Sequence, residues 1–338
     1  MTGSVSRMKR ALITGITGQD GRYLAEFLVG KGYQVFGLIR GQNNPKTQMV
    51  RDENPALELI EGDLQDLSSL IAVVEQVQPD EVYNLGAISY VQLSFSQPEL
   101  TADITGLGVL RMLDAIRVVG GSQNNPIRFY QASSSEMFGK VRETPQTEDT
   151  PFHPRSPYGV AKVFGHYMTV NYRESYGLHA SSGILFNHES ERRGLEFSTR
   201  KITNSLARIK LGLQPKITLG NLDTARDWGY AGDYVEAMWR MLQQDEPGDY
   251  VVASGRTHTL REFLETASRI AGFDDWQPLV QQDERFMRPA EVDILTGDAR
   301  RARERLGWAP KVSFEELVRR MYEHDLKEEQ AKADAKQR

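Results

Sequence analysis

The eight residues TGITGQDG, Thr14 to Gly21, follow directly on the apolar run Ala11–Ile13 and lead into a stretch with helical spacing of Tyr23, Leu24, Phe27 and Leu28. This junction constrains the chain more than any other feature. Gly15, Gly18 and Gly21 give G-x-x-G-x-x-G between a buried strand and a helix. The first glycine permits the tight turn, the second lets a pyrophosphate approach the backbone, and the third allows close helix–strand packing. The helix then offers unpaired N–H groups and a positive dipole end to phosphate. A glycine triplet alone is weak; at a strand–helix junction in a repeating chain it reads as a dinucleotide site.

The repeat is present. QVFGLIR, ALELIEGDL, EVYNLGAI, IRFYQASSS and HASSGILFN read as further strands, separated by the helical patterns LSSLIAVVEQVQ and LTADITGLGVLRMLDAIRVVG and by a helix from Pro157 to about Tyr176. Strand–helix alternation implies a parallel sheet covered on both faces, with ligands at the carboxyl ends of the strands. After Asn187 the rhythm breaks. Residues 188–230 are rich in arginine, glycine and polar residues, with one helix near 200–212; DYVEAMWRMLQQ is a helix and DYVVASG another core strand. The expected fold is α/β: a Rossmann-type doubly wound parallel sheet with a smaller, mostly helical C-terminal substrate domain. The larger domain takes residues 8–187 plus about 226–257, and the smaller takes about 188–225 plus 258–328. The polar last dozen residues read as a solvated helix end or a tail.

Composition narrows the function. A net charge of -5 argues against a nucleic-acid or anionic-membrane surface. No stretch approaches the roughly 18 apolar residues of a membrane span, and the first eight lack the apolar run of a signal peptide. With no cysteine the chain has no disulfide, thiol nucleophile or cysteine metal site, which fits a cytoplasmic, reducing location. No second histidine stands at ligand spacing from His188, so no metal is expected.

Three strand ends carry candidate chemistry. The second strand ends in Arg40, with Lys46 nearby. Dinucleotide sites for NAD place an acid there for the ribose hydroxyl; a cation suits the 2′-phosphate of NADP, although a solvated strand end is the plainer reading. Asp63 stands where a third strand ends, within reach of an adenine amino group. The fifth strand ends in SSSEMFG, which brings Ser133, Ser134, Ser135 and Glu136 to the reacting end of the sheet. Tyr158 and Lys162 lie four apart behind Pro157, on one face of a helix. An ammonium group and an oxidised nicotinamide nearby favour the phenolate, which takes a proton from a substrate hydroxyl while hydride leaves the same carbon. A serine serves the same hydroxyl. A carboxylate at Glu136 exceeds what alcohol oxidation requires and suits removal of a C–H proton beside a carbonyl.

Taken with FNHES, RRGLEFSTRKIT, RDWGYAGDYVEAMW and RPAEVD, these motifs resemble the extended short-chain dehydrogenase/reductase superfamily and, within it, the GDP-mannose 4,6-dehydratases, from about residue 8 to 326. The resemblance implies an NADP-dependent lyase acting on GDP-mannose. Oxidation at C4 is followed by loss of water across C5 and C6 and by return of hydride to C6. It assigns catalysis to Ser134, Glu136, Tyr158 and Lys162. It implies cofactor contacts from Gly15, Thr17, Gly18, Gln19, Asp20 and Gly21. Further contacts come from Arg40, Asp63, Leu64, Leu85, Ala87 and Ser89, and from Tyr158, Lys162, His188 and Arg193. The substrate would meet Ser89, Ser134, Glu136 and Tyr158, with its GDP end held by Asn187, Lys201, Arg226 and Arg288. Ser134 stands where the family usually has threonine, and RGQNNPKTQ replaces an arginine–serine-rich loop that often contacts the 2′-phosphate and a neighbouring subunit. A homodimer through the helices at about 100–119 and 157–176 is expected, or a homotetramer if the altered loop still serves. A reductase or epimerase of another nucleotide sugar would share the loop and the Tyr–Lys pair without needing Glu136. A non-catalytic dinucleotide sensor would need neither Tyr158 nor Lys162.

Overall fold

The computed structural model describes residues 7–41, 44–283 and 294–336. The first half alternates strand and helix: β1 Arg10–Thr14, α1 Gln19–Gly30, β2 Gln34–Ile39, α2 Thr47–Glu53, β3 Glu58–Glu61, α3 Leu67–Val77 and β4 Glu81–Asn84. Short helices α4 Val91–Ser96 and α5 Pro98–Thr101 lead through a π-helical segment, Ala102–Leu107, into α6 Gly108–Gly120. Then come β5 Arg128–Ser134, α7 Pro157–Tyr176 and β6 Ala180–Leu185. The second half holds β7 Asn187–Glu189, α8 Ser198–Lys210, β8 Ile217–Leu219, β9 Ala225–Tyr230, α9 Ala231–Leu242 and β10 Asp249–Val252. It continues with β11 Thr257–Thr259, α10 Leu260–Ala271, β12 Val280–Gln282, β13 Ile294–Leu295, α11 Arg300–Leu306 and α12 Phe314–Lys336.

Seven strands pair in the order β10-β6-β5-β4-β1-β2-β3, each pair parallel. The order reverses between β1 and β4, which is where a doubly wound sheet opens a crevice. Burial on both faces follows. Leu24 and Leu28 of α1 join Met238 and Met241 of α9 on one side; Leu70 and Val74 of α3 join Met112 and Ile116 of α6 on the other. The long helix expected over about 100–120 is present with its π-helical segment inside it. Gly165 of α7 faces Val109 so closely that a Cβ there would lie 2.8 Å from its Cγ2.

The remaining elements form a smaller unit. Ile202 and Leu206 of α8, Phe263 and Leu264 of α10, and Leu317 and Met321 of α12 share a separate core. This unit also contains strands with no sequence signal: β9 pairs with β7, β11 and β13, and β8 pairs with β12. The polar end of α12 is helical to Lys336 and is held by charge. Asp325, fully buried, receives the Arg200 guanidinium (2.7 Å) and the Thr203 hydroxyl (2.6 Å), and Glu329 receives Arg208 (2.7 Å). Among the described residues no helix is long and apolar enough to cross a membrane.

Removing one partner of a buried ion pair strands the other. Asp325→Ala is expected to destabilise the protein by about 3 kcal/mol, read as a lower denaturation midpoint in urea; an unchanged midpoint would contradict the role given to this pair.

Candidate active site

The glycine loop is built by exclusion. Gly15 has φ +71°, and a Cβ on it would stand 2.8 Å from the Gly86 nitrogen at the end of β4. A side chain at Gly21 would meet the Ile16 Cα at 2.7 Å. Thr14 secures the crossing, its hydroxyl bonding Asn84 (2.7 Å) and accepting from the Gly86 N–H (2.9 Å). Gly18 caps α1 in extended geometry with no side chain over the helix end. The loop is a backbone cradle that a methyl group would fill, and it fits a dinucleotide pyrophosphate.

Two cavities meet at this loop. The larger, about 690 Å³, runs from Gly15, Thr17, Gly18 and Gly21 past Leu85, Ala87 and Ser89. It continues to Ser134, Glu136, Tyr158 and Lys162 at the ends of β5 and α7, and then to Asn187, His188, Arg193, Lys201 and Arg226 on the smaller unit. Gln19 and Asp20 also line it. The smaller cavity, about 260 Å³, holds Arg40, Asp63 and Leu64. Arg40 is exposed at the end of β2. Asp63 accepts from the Gln65 N–H (3.0 Å), so part of its carboxylate is used in its own turn. Every expected site residue among those described thus lines one of two adjoining cavities. Arg288 lies outside the described residues.

The catalytic end is ordered by local chemistry. Ser156 caps α7, accepting from the Gly159 N–H (3.0 Å), and Pro157 occupies the first turn. Gly159 lets that turn lie against β5: a Cβ there would be 2.8 Å from the Glu136 carbonyl oxygen. Ser134 closes β5, its Oγ accepting from the Glu136 N–H (3.2 Å) in the single 3₁₀ turn Ser135–Met137. Glu136, Tyr158 and Lys162 are all buried.

The electrostatics depart from the simple phenolate picture. Burial pushes the Tyr158 phenol well above its ordinary value; a hydrogen bond with Ser134 pulls it back and the Glu136 charge raises it further. Burial lowers Lys162 to about 8, against an upward pull from Asp20. Lys162 donates to the Ala132 carbonyl (2.7 Å), and its Nζ lies 5.6 Å from the Tyr158 ring centre. The protein by itself therefore holds the phenol protonated and Ser134 is its direct partner. The strand-end carbonyl fixing Lys162 left no mark in the sequence, because any residue supplies one.

The sequence also gave no role to Glu189. Buried in β7, it accepts from Thr199 (2.7 Å), and Arg193 Nε lies 3.1 Å away while the guanidinium stacks on Phe197 at 3.6 Å. Acid and arginine four residues apart in FNHESERR were visible; their shared direction was not.

Comparison with known proteins identifies the family. The family model described as GDP-mannose 4,6 dehydratase matches residues 12–321. The Arabidopsis thaliana protein named GDP-mannose 4,6 dehydratase 1 is 54% identical over 342 residues, covering 98% of this chain and 94% of that one. The Homo sapiens GDP-mannose 4,6 dehydratase is 49% identical over 340 residues, covering 94% and 91%. Among solved structures, RMD from Pseudomonas aeruginosa complexed with NADPH superposes with a TM-score of 0.78 at 26% identity, covering 95% of this chain and 100% of that one. The Thermus thermophilus UDP-glucose 4-epimerase in complex with NAD gives 0.79 at 28%, covering 94% and 98%. This chain belongs to the GDP-mannose 4,6-dehydratase family.

Proposed function

We propose that the chain converts GDP-D-mannose to GDP-4-dehydro-6-deoxy-D-mannose and water with NADP as resident cofactor, and that Ser134, Glu136, Tyr158 and Lys162 run the reaction. The dehydratase activity is that of the family. The observation that supports the residue roles is the burial of a carboxylate, Glu136, beside the tyrosine of a Y-x-x-x-K helix.

A nicotinamide cofactor held at the Gly15–Gly21 loop would supply the acceptor, and later the donor, of one hydride. The chain's own residues handle the protons. The positive charge of an oxidised nicotinamide beside Tyr158 would favour its phenolate against the burial that raises it, and that phenolate, hydrogen-bonded with Ser134, would take the O4 proton as C4 becomes a ketone. That ketone acidifies the neighbouring C5–H. Glu136 removes the C5 proton and delivers it to the C6 hydroxyl, which departs as water. Hydride return to C6 and proton uptake at C5 then leave no net redox change.

The NADP assignment rests on Arg40. It ends β2, lines the smaller cavity with Asp63, and has no protein ion-pair partner among the described residues. A guanidinium suits a phosphate dianion. Residues 8–187 with about 226–257 are assigned to the cofactor, and 188–225 with 258–328 to the GDP end, except that β9 pairs with β7, β11 and β13 and so brings Arg226 to the GDP end, beside Lys201 in the large cavity. A homodimer is part of this reading. Val160, Phe164 and Tyr167, spaced along one face of α7, are exposed apolar side chains, as are Leu107 and, farther along α6, Val118. A cytoplasmic location rests on the cysteine-free composition.

Glu136→Gln is expected to reduce bound NADP on mixing with GDP-mannose yet form no 6-deoxy product; normal turnover by this variant would remove the elimination step assigned to Glu136. Arg40→Ala is expected to weaken NADP at least about tenfold while leaving NAD nearly unchanged, the loss of one charge-assisted contact. Titration of both dinucleotides checks it, and equal loss of both would undo the 2′-phosphate assignment.

A further inference from the structure

His188 and Asp20 meet at the boundary between the glycine loop and the smaller unit, and the meeting is chemically specific. His188 Nε2 lies 2.7 Å from Asp20 Oδ2, and Nδ1 lies 2.8 Å from the Phe186 carbonyl oxygen. Both neighbours are acceptors. A neutral imidazole carries one N–H and can satisfy only one of them. The ring also stacks on Tyr234 of α9, centroids 4.6 Å apart and 26° from parallel, an arrangement that suits a cation.

A second set of bonds ties the same elements. Gln19 donates to the His188 carbonyl (3.1 Å) and to Asp20 Oδ1 (3.0 Å), and the Ser190 hydroxyl donates to Gln19 Oε1 (2.7 Å). Two consecutive residues of the first turn of α1 thus grip both the side chain and the backbone of β7. That short strand also carries Asn187 into the large cavity and, through Glu189, orients Arg193. It is paired with β9, which carries Arg226.

We propose that Asp20 and protonated His188 form a charged clasp that makes them positioning residues, locking the dinucleotide loop to the strand that presents the GDP-sugar side of the cleft, so that the two ligands help each other bind. With α1 and β7 held as one piece, a ligand that favours the locked arrangement from one side favours it for the other. The proposal rests on the assignment of this cleft to a dinucleotide and a GDP-sugar.

The charges around the clasp agree with it. Burial alone would lower His188, but the Asp20 carboxylate more than offsets it, and the ring sits above its ordinary value against opposition from Arg193. Burial alone would raise Asp20; His188, Gln19 and Arg193 hold it below the ordinary carboxylate range. Asp20 also acts on Lys162 and Tyr158 of α7, Tyr130 of β5 and Tyr234 of α9. The clasp's contribution is therefore complete below the ordinary histidine pKa and is lost as pH rises through the elevated His188 value. On the acid side it is complete above the ordinary aspartate pKa and lost as pH falls through the depressed Asp20 value.

Two measurements on the full chain decide it. In protein labelled with ¹⁵N-histidine, the His188 ring, identified by its absence in His188→Gln, is expected to keep protons on both nitrogens at the pH where an ordinary histidine is half deprotonated; a ring already neutral there overturns the proposal. Separately, GDP is titrated with and without saturating NADP. The wild type is expected to bind GDP about fivefold or more tightly with the dinucleotide present, the lower end of ordinary coupling between sites. Asp20→Ala is expected to lose that gain, and Asp20→Glu to recover part of it. Retention of the full gain by Asp20→Ala, or binding of both ligands to the wild type with no gain, overturns the clasp. A wild type that binds neither ligand instead overturns the functional reading, and the ring measurement still judges the clasp.

Discussion

The cleft depends on a contact that leaves no room for a methyl group. Gly15, in the left-handed region, lies against Gly86, so that the end of β1 and the end of β4 meet without side chains between them. This is the point at which strand order reverses. Parallel pairing then brings the ends of β5 and β6 to the same edge, and with them Ser134, Glu136 and the strand leading to His188. The protein's chemistry is thus a consequence of strand direction, with side chains added at the rim.

Within that frame, burial does the electrostatic work. It raises the Tyr158 phenol and lowers the Lys162 ammonium to about 8, moving the proton affinities of the pair, ordinarily close together, apart. Ser134 and the Ala132 carbonyl give each group a local partner. Glu136 stands on the same strand end, close enough to affect Tyr158. In the proposed reaction, a buried carboxyl beside the phenol is what separates a dehydratase site from a simple alcohol dehydrogenase. The smaller unit completes the cleft by supplying cations from β9, α8 and the segment after β7.

Much of this was legible in the sequence because it is local. The glycine loop announces itself by spacing, α7 by Pro157 at its start and Gly177 just after its end, and the candidate site residues by their place after strand patterns. The rest is long-range or too short to show a period. β7, β11 and β13 have three, three and two residues, and no alternation can be read from so few. α2, Thr47–Glu53, buries only Val50 and has no apolar stripe. The polar end of α12 looked solvated because the arginines that hold Asp325 and Glu329 lie more than a hundred residues away on α8. Glu81 begins a core strand although it is charged; Lys9, Tyr33 and Tyr83 meet it there from three other places in the chain or strand.

The central claim is that one hydrogen leaves C4 of the sugar and returns to C6 of the same molecule, with Tyr158 and Glu136 moving the protons. The most direct measurement is turnover of GDP-mannose carrying deuterium at C4, with the product read by NMR. The account predicts deuterium at C6 of the product, without loss to solvent or to added unlabelled NADP. Label appearing in water or in free cofactor, or remaining at C4, would contradict it.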